Sequence, residues 1–379
     1  MLTAIINARL IIGNDIFDNK VVIFDNKIVD IVNSDKIDEY KECSIIDAKG
    51  AYLSSGFIDI HIHGSGDADT MDSTFEALET ISTTITQTGT TAFLATTMTM
   101  SSDSIDKALQ NIRLNGVKVS GASIVGVHME GPFINPDMCG AQDTKHIQAP
   151  SLELIDKYSD IVRMITLAPE VAGGIEFVKN LNKKYPQIVL SIGHSNASYE
   201  GAIDGFNAGI SHATHLGNAM SGFHHRSPGV VGAVLNNDIS CDVIADTIHT
   251  HTATLELFWK VKKEKLLLIT DSMRAGCMKC GTYSLGGQNV TVSSGEARLD
   301  NGQLAGSVLR LNHALKNMTM HTSMSICDAI YSVTEGPAKK LALATKGSII
   351  KGFDADMVLF DYEFNIHKTI VNGVVVYSS

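Results

Sequence analysis

The sequence predicts an α/β protein, a (β/α)8 barrel of the TIM type with a small β-sandwich domain formed by both termini. Two observations support this fold class. Over about 290 residues, eight short apolar segments alternate with longer segments of helical pattern, which is the count and spacing of a (β/α)8 barrel. The stretches on either side of this region show only short strand patterns separated by turn residues.

The eight predicted barrel strands are short runs rich in aliphatic and β-branched residues. They cover residues 56–61, 91–95, 124–130, 162–168, 188–193, 212–215, 242–245 and 266–270. Helical segments at 74–87, 151–158, 174–183 and 252–262 lie between several of these strands. A doubly wound open sheet is an alternative, but no Gly-x-Gly-x-x-Gly motif follows the first strand to support it.

Both ends of the chain predict strands of a second domain. These strands are residues 4–12, 21–24, 28–32, 348–350, 357–360 and 369–377. The second and third form a hairpin, and the last contains an Asn-Gly turn signal. We therefore predict a small β domain made of residues 1–53 and 346–379 around a barrel domain of residues 54–345. The Gly-rich stretch 281–302 predicts a short β insertion after the eighth strand.

The composition excludes several classes of protein. Of 379 residues, 44% are hydrophobic and 19% are charged, which is ample for a large core, and the net charge is −11. An acidic chain lacks the basic surface that nucleic acid binding requires. The sequence contains neither a signal-peptide pattern nor an apolar run of about 18–20 residues that could span a membrane. Six scattered cysteines predict no disulfide framework, so we expect a cytoplasmic protein.

Residue types that bind metals stand at the ends of the predicted strands. In a (β/α)8 barrel the C-terminal ends of the strands form the active-site face. Here histidines and carboxylates occupy those ends on the first, third, fifth, sixth and eighth strands, namely His61, His63, Glu130, His194, His215 and Asp271. A single histidine at a strand end is more often a structural group, but six such residues at matching ends predict a metal centre.

These residue types indicate hydrolysis by a metal-activated water. Imidazole and carboxylate ligands suit zinc or iron, with manganese or cobalt as alternatives, and a bound ion lowers the pKa of its water to about 7. Glu130 can bridge two ions, one held by the histidines of the first strand and one by those of the fifth and sixth. Asp271 would take the proton from the attacking water and deliver it to the departing nitrogen. We therefore predict one or two divalent ions per subunit.

Several longer motifs resemble the amidohydrolase superfamily and, more narrowly, its N-acetylglucosamine-6-phosphate deacetylases. The strings around His215 and Asp271 are the most specific, whereas His-x-His alone is a weak signal. The matching motifs are at residues 56–64, 128–133, 193–195, 213–220, 225–229, 244–246, 270–275 and 304–307. With the strand-like termini, the resemblance covers essentially the whole chain, and it implies a barrel of the metal-dependent amidohydrolase kind.

The resemblance implies roles that spacing alone does not give. Glu130, His194 and His215 match a metal site found throughout the family, whereas His61 and His63 match a second site that only some members have. The implied reaction is removal of acetate from an N-acetyl-amino-sugar 6-phosphate such as N-acetylglucosamine 6-phosphate. The implied substrate-binding residues are Ala141, Gln142, Asn218, Ala219, Arg226, His249, Leu304, Ala305 and Gly306.

Recognition of the sugar phosphate is implied for four of these residues. In the family, the backbone around Asn218 and Ala219, the histidine matching His249 and the arginine matching Arg226 bind the phosphate. The arginine comes from a neighbouring subunit, so the resemblance implies a homodimer. The guanidinium suits this role because its fork of donors fits phosphate oxygens.

Gln142 departs from the family pattern. Family members usually carry a histidine a dozen residues after the metal-ligand glutamate, where it helps to orient or polarise the acetyl carbonyl. A glutamine amide still donates a hydrogen bond to a developing oxyanion, although it brings no titratable proton. His146 is near in sequence and is an alternative donor.

Other functions remain open at this point. The substrate could instead be N-acetylgalactosamine 6-phosphate, or the chain could be a cyclic amidase of the dihydroorotase or allantoinase kind. A third alternative is a catalytically silent barrel that binds a sugar phosphate. Cys277 and Cys280 have zinc-knuckle spacing, but without a second pair they predict no structural zinc site.

Overall fold

The computed structural model describes residues 2–40 and 42–379, so Met1 and Lys41 of the predicted β domain lie outside the described residues. Its centre is a barrel of eight parallel strands, arranged in the order of the sequence. These barrel strands 1 to 8 are Phe57–Ile62, Thr90–Thr97, Ser123–Glu130, Val162–Leu167, Val189–Ile192, His212–Ala213, Ser240–Ile244 and Leu266–Ile269. All eight predicted strands are confirmed, and their ends agree to within two residues.

Barrel strands 8 and 1 meet and close the barrel. Just beyond strand 8, the backbone N–H of Asp271 donates to the carbonyl of His61 at 2.9 Å, and that of His63 donates to the carbonyl of Ser272 at 2.9 Å. The strands are apolar because helices cover their outer faces and packed side chains fill the interior. Every residue of barrel strand 8 is accordingly buried.

The helices surround the barrel with one apolar face turned inward. In Gly174–Lys184, for example, Phe177, Val178 and Leu181 are buried, whereas the basic residues of the last turn face solvent. None of the helices in the described part of the chain is long and apolar enough to cross a bilayer. The α-helices are Phe75–Thr84, Ser102–Asn115, Glu153–Tyr158, Gly174–Lys184, Tyr199–Ala208, Gly229–Asn236, Thr252–Lys262, Leu311–His321, Ile326–Val333 and Glu335–Lys340.

Short 3₁₀ helices occupy several connections, and one of them changes a prediction. The predicted helix 74–87 is an α-helix that ends at Thr84 and continues as a 3₁₀ turn from Ile85 to Thr88. Thr74 caps its start, because its hydroxyl accepts the N–H of Ala77. The 3₁₀ helices are Ser34–Tyr40, Thr70–Asp72, Ile85–Thr88, Gly116–Lys118, Pro136–Met138, Thr144–His146 and Lys263–Lys265.

The termini form two sheets that pack as a β sandwich. The four-stranded sheet has the order Ile28–Asn33, Lys20–Phe24, Thr3–Ile6, Ser44–Asp47. The six-stranded sheet combines both ends of the chain in the order Val374–Ser378, Ile366–Val371, Met357–Phe360, Tyr52–Ser55, Arg9–Ile12, Asp15–Phe17. Apolar side chains from both sheets share one core. The exact division from the barrel domain at residue 53 stays a prediction.

Two of the predicted terminal strands need correction. The segment 4–12 is not one strand but two, because Asn7 adopts a φ of 56° and turns the chain so that each half joins a different sheet. The segment 348–350 forms no strand, and Ile349 instead fills the core between the two sheets. Its apolar character reflects burial, which a short run of three residues does not distinguish from strand pairing.

A three-stranded antiparallel sheet follows barrel strand 8, as predicted for residues 281–302. Its strands are Gly281–Leu285, Gln288–Ser293 and Glu296–Leu299. Its buried face packs against Met98, Met273 and Ala305 next to the barrel mouth. A two-stranded ribbon of Gly64–Ser65 and Ala68–Asp69 lies beside barrel strand 1. The insertion is therefore a fixed wall above the C-terminal ends of the barrel strands.

A buried ion pair holds the terminal segments together. The ammonium of Lys346 lies 2.6 Å from Asp356 and 3.1 Å from Asp354, and Asp354 also pairs with Lys27 of the N-terminal hairpin. Asp356 is only 3% exposed and also accepts the backbone N–H of Asn372 at 2.7 Å. Two cations, Lys27 and Lys346, thus share Asp354 and join the N-terminal hairpin to the start of the C-terminal strands.

Replacing Lys346 should destabilise the fold strongly. Lys346→Met leaves the buried carboxylate of Asp356 without its counter-charge, and we expect a loss of about 3–5 kcal/mol in the free energy of unfolding. Denaturant unfolding followed by circular dichroism measures this loss. The exposed Lys351→Met is the matched control and should change stability by less than about 0.5 kcal/mol. Equal stability of the two variants would contradict the assigned role of the ion pair.

Candidate active site

A cavity of about 440 Å³ opens at the C-terminal ends of the barrel strands. Its floor holds His63, Glu130, His194, His215 and Asp271. The other lining residues come from the loops and the β insertion: Met98, Asp137, Met138, Gly140, Ala141, Gln142, Asn218, Ala219, Ile244, His249, Leu285, Arg298, Gly302, Gln303, Leu304 and Gly306. The volume suits a small molecule, and the polar groups converge on the floor.

Two groups of buried side chains meet at the carboxylate of Glu130. His194 Nε2 and His215 Nε2 lie 3.1 and 3.0 Å from Glu130 Oε1, and 3.3 Å from each other. On the other side, His63 Nε2 lies 3.2 Å from Glu130 Oε2, and His61 Nε2 lies 3.4 Å from both Glu130 Oε1 and His63 Nε2. Glu130 therefore belongs to both groups.

Asp271 faces the pair of histidines on barrel strand 1. Its Oδ1 atom lies 3.4 Å from His61 Nε2 and 3.3 Å from His63 Nε2. Asp271 is the most exposed member of the cluster, at 9%, and lines the cavity. Its carboxylate can thus contact both the histidine pair and a molecule bound in the cavity.

The geometry of the cluster fits divalent cations. The two imidazole pairs have Nε2–Nε2 separations of 3.3 and 3.4 Å. Ligand atoms at about 2.0–2.1 Å from a tetrahedral ion lie about 3.3–3.4 Å apart, so both pairs match that arrangement. His61, His63 and Glu130 form one group that could hold an ion, and Glu130, His194 and His215 form the other.

The pKa values of Glu130 and His215 are shifted in the directions that place an anion beside positive charge. Burial by itself raises the pKa of Glu130, but the imidazoles of His61 and His194 outweigh it and hold the pKa well below its usual range. Burial lowers the pKa of His215, yet the contact with Glu130 raises it to about 9. The buried carboxylate of Glu130 is therefore stabilised by positive charge beside it, which a divalent ion would supply.

The backbone turns sharply where three of these side chains enter the cavity. His194, His215 and Asp271 each follow a barrel strand and have φ values of 49°, 36° and 49°. Residues other than glycine rarely occupy this left-handed region, and such strain is commonly concentrated at functional sites. The turn ends each strand and aims the side chain across the barrel axis.

Hydrogen bonds behind the cluster hold its ligands in place. His194 Nδ1 donates to the carbonyl of Met138 at 2.9 Å, which leaves its Nε2 lone pair facing Glu130. The carboxylate of Asp242 accepts the backbone N–H of His215 and lies 2.9 Å from His212 Nε2. These contacts fix the tautomer of His194 and the position of His215.

A buried polar chain also runs beneath the cluster. His128 Nδ1 lies 3.1 Å from the carbonyl of Ile60, so it donates, and Nε2 accepts the hydroxyl of Thr166 at 2.7 Å. Thr166 in turn contacts Thr214 at 2.7 Å, and Thr214 contacts Ser191 at 2.6 Å. Burial holds the pKa of His128 well below its usual range, so the ring is neutral, and each hydroxyl of the chain then donates to the next group toward His128. Its ring packs edge-on against His61 and supports it from below.

The residues predicted to hold the sugar phosphate do not all reach the cavity. Asn218 and Ala219 line it, as does His249, whose Nδ1 lies 2.7 Å from Asp246 so that Nε2 is left for a ligand. Arg226 is exposed and lies outside the lining, where it donates to His225 at 2.7 Å. Within one chain the cavity therefore lacks the guanidinium of Arg226.

The loop predicted at residues 304–306 is anchored to the turn at Asp271. Leu304 and Gly306 line the cavity, whereas Ala305 is fully buried behind them and donates its N–H to Ala297 at 3.0 Å. The N–H of Ser307 donates to the carbonyl of Asp271 at 2.7 Å. The loop thus sets one wall of the cavity relative to Asp271.

Gln142 and Ala141 also line the cavity, but Gln142 makes a contact that its sequence position does not reveal. Its Nε2 donates to Glu130 Oε2 at 2.6 Å, and its Oε1 accepts the backbone N–H of Thr99 at 2.8 Å. His146, the alternative donor, is absent from the lining. Gln142 therefore contacts both the cavity and the candidate ligands.

Sequence reasoning missed several lining residues, of which Arg298 and Gln303 are the most informative. Both belong to the β insertion and its return loop, and Arg298 pairs with Leu304 as an isolated β bridge. Arg298 also contacts Glu296 at 2.6 Å and the carbonyl of Gly302 at 2.7 Å. In the sequence, the only indication of this role was that Arg298 is a basic residue six positions before the predicted 304–306 loop.

Comparison with known proteins gives consistent matches over the full length of the chain. The model of the amidohydrolase family matches residues 52–376. The chain is 40% identical to an N-acetylglucosamine-6-phosphate deacetylase of Lysinibacillus sphaericus over 86% of each sequence. It is 38% identical to the enzyme of that name from Bacillus subtilis, over 98% of this chain and 96% of the relative.

A solved structure gives the same result for the fold. The crystal structure of N-acetylglucosamine-6-phosphate deacetylase from Pasteurella multocida superposes with a TM-score of 0.95 at 30% identity, over all of both chains. Sequence and structure agree, and the predicted resemblance is confirmed. The chain belongs to the amidohydrolase family.

Proposed function

We propose that this chain removes the acetyl group from N-acetylglucosamine 6-phosphate, giving glucosamine 6-phosphate and acetate. The observation that carries the proposal is the buried cluster around Glu130, with Asp271 beside it, on the floor of a cavity of about 440 Å³. The names of the relatives support the substrate, because two of them are deacetylases of this sugar phosphate.

The metal ligands in this proposal are Glu130 and the four histidines that surround its carboxylate. His194 and His215 with Glu130 would hold one divalent ion, and His61 and His63 with Glu130 would hold a second. Zinc or iron suits these donors, with manganese or cobalt as alternatives. When bound, such an ion lowers the pKa of a water to about 7 and polarises an amide carbonyl.

Asp271 serves as the proton carrier of the reaction. Burial raises the pKa of its carboxyl, but the imidazoles of His61 and His63 outweigh burial, so the pKa is lowered and the resting group is an anion. It accepts the proton of the attacking water and then donates it to the nitrogen that leaves. The amide bond breaks, acetate forms, and the amine departs with the proton.

The remaining lining residues place the sugar and its phosphate. Asn218, Ala219 and His249 contact the phosphate, and Ala141, Gln142 and the 304–306 loop contact the sugar and its acetyl group. His249 supports this assignment because Asp246 already occupies its Nδ1, which leaves Nε2 as the cavity-facing atom.

The phosphate site is completed by Arg226 of a second subunit. Arg226 is exposed on a loop outside the cavity of its own chain. The same loop carries Phe223, which is 65% exposed and offers an apolar surface that a partner can cover. These features support a homodimer in which each Arg226 enters the neighbouring cavity. We also propose a cytoplasmic location, supported by six free thiols.

Substrate preference tests the proposed reaction. We expect the metal-loaded protein to release acetate from N-acetylglucosamine 6-phosphate with a kcat/KM about 10- to 100-fold above that for N-acetylglucosamine, because charged hydrogen bonds to phosphate contribute binding energy. A chelator should abolish the release. Coupled acetate detection measures both sugars, and N-acetylgalactosamine 6-phosphate, a dihydropyrimidine and a hydantoin run in parallel. If the metal-loaded protein released no acetate from N-acetylglucosamine 6-phosphate or from N-acetylglucosamine, the proposal would be refuted.

Asp271→Asn separates an enzyme from a silent binding barrel. Loss of the proton carrier should lower kcat by about 10²–10⁴-fold, while the affinity for the sugar phosphate stays close to that of the wild type. Steady-state acetate release and calorimetric binding give the two quantities. A protein that binds the sugar phosphate but shows no turnover even with Asp271 present would support the silent barrel instead.

Mixed dimers test whether Arg226 crosses between subunits. Arg226→Met alone should raise KM for the phosphorylated sugar, and Asp271→Asn alone should lack turnover. In a mixed dimer, the site with an intact Asp271 receives Arg226 from its partner, so subunit exchange should restore roughly a quarter of the wild-type sites. Acetate release at a substrate concentration well below the KM of the Arg226→Met variant measures the restoration. Activity of the mixture equal to the average of its components would show that Arg226 acts within its own chain.

A further inference from the structure

The amide of Gln142 is held at both ends. Its Oε1 accepts the backbone N–H of Thr99 at 2.8 Å, and its Nε2 donates to Glu130 Oε2 at 2.6 Å. A backbone N–H can only donate and an ionised carboxylate can only accept, so these partners permit one orientation of the amide. The side chain is buried, with 6% of its surface exposed.

Thr99, whose backbone N–H holds the amide of Gln142, lies close to the segment that carries Glu130. Thr99 follows barrel strand 2 and packs against Gly131, the neighbour of Glu130 in sequence. A Cβ atom placed on Gly131 would lie 2.1 Å from Thr99 Oγ1, so the two segments are already in contact. Gly131 also donates its N–H to the carbonyl of Thr166 at 3.0 Å. The support for Gln142 is therefore the backbone just beyond barrel strand 2, which pairs with barrel strand 3, the strand that carries Glu130.

Gln142 makes the two oxygens of Glu130 different from each other. Oε1 faces His61, His194 and His215 at 3.4, 3.1 and 3.0 Å, whereas Oε2 faces His63 at 3.2 Å and the amide of Gln142. The terminal torsion of a glutamate is broad, so it needs an outside contact to fix it. The amide supplies that contact and does not change its charge with pH.

We propose that Gln142 is a positioning residue, which orients Glu130 so that one carboxylate serves both groups of histidines. This inference rests on the proposed metal centre and gives Gln142 a role toward the ligands in addition to its place in the cavity wall. The second N–H of its Nε2 is left for a molecule in the cavity. Outer hydrogen-bond partners of this kind commonly change metal affinity by about 10- to 100-fold.

Metal binding by Gln142→Met tests the proposal directly. Methionine is similar in length but neither donates to Glu130 nor accepts from Thr99. We expect about 10- to 100-fold weaker binding of Zn²⁺, measured by competition with a chromophoric chelator. We also expect the visible absorption of the Co²⁺-loaded protein to change, because that spectrum reports the geometry of the ligands. Far-UV circular dichroism verifies that the variant is folded.

Two further variants make the test specific. Gln148→Met is the matched control, since Gln148 contacts Met100 and Ser102 rather than a candidate ligand, and it should bind Zn²⁺ and Co²⁺ like the wild type. Gln142→Asn keeps an amide that is one methylene too short to span both contacts, so it should lose affinity as the methionine variant does.

The outcomes distinguish failure of this inference from failure of the metal centre. Wild-type affinity and an unchanged Co²⁺ spectrum in either folded Gln142 variant would overturn the positioning role alone. Absence of Zn²⁺ binding by the wild-type protein would overturn the metal centre and this inference together. Weakened binding in both Gln142 variants with an unaffected Gln148→Met would support it.

Discussion

The convergence of four histidine nitrogens on the buried carboxylate of Glu130 is the contact on which the site depends. Buried charge of this density is costly unless opposite charge accompanies it. The spacing between the imidazoles matches that of the ligands of a divalent ion, which would supply such charge. The arrangement of the cluster therefore fits the binding of a cation. His61 and His63 also lower the pKa of Asp271, which keeps its carboxyl group ionised.

The barrel makes this convergence possible because strand ends that are distant in sequence meet around one axis. Left-handed backbone at His194, His215 and Asp271 turns each side chain inward. The hydrogen-bonded chain from Ser191 to His128 fills the space below with polar groups that are all satisfied. The tautomers of His128 and His194 are thus fixed by partners within the protein, which is part of the preorganisation that catalysis requires.

Elements outside the barrel determine what the cavity can hold. The β insertion packs on Met98 and Met273 and brings Arg298 to the wall, and the 304–306 loop is tied to the carbonyl of Asp271. The terminal β sandwich does not line the cavity in the described chain. It joins the two ends of the chain through the Lys346 ion pair, so its contribution is to stability.

The sequence by itself determined the eight barrel strands, the two-domain organisation and the positions of the five candidate metal ligands and of Asp271, because apolar runs and the polar residues at their ends are local features. The tertiary structure decided the rest. Asn7 divides residues 4–12 between two sheets, one of which is completed by strands from the far end of the chain. Arg226 falls outside the cavity of its own chain. The orientation of Gln142 depends on a backbone N–H 43 residues away. Such contacts depend on distance in space, which a local pattern does not contain.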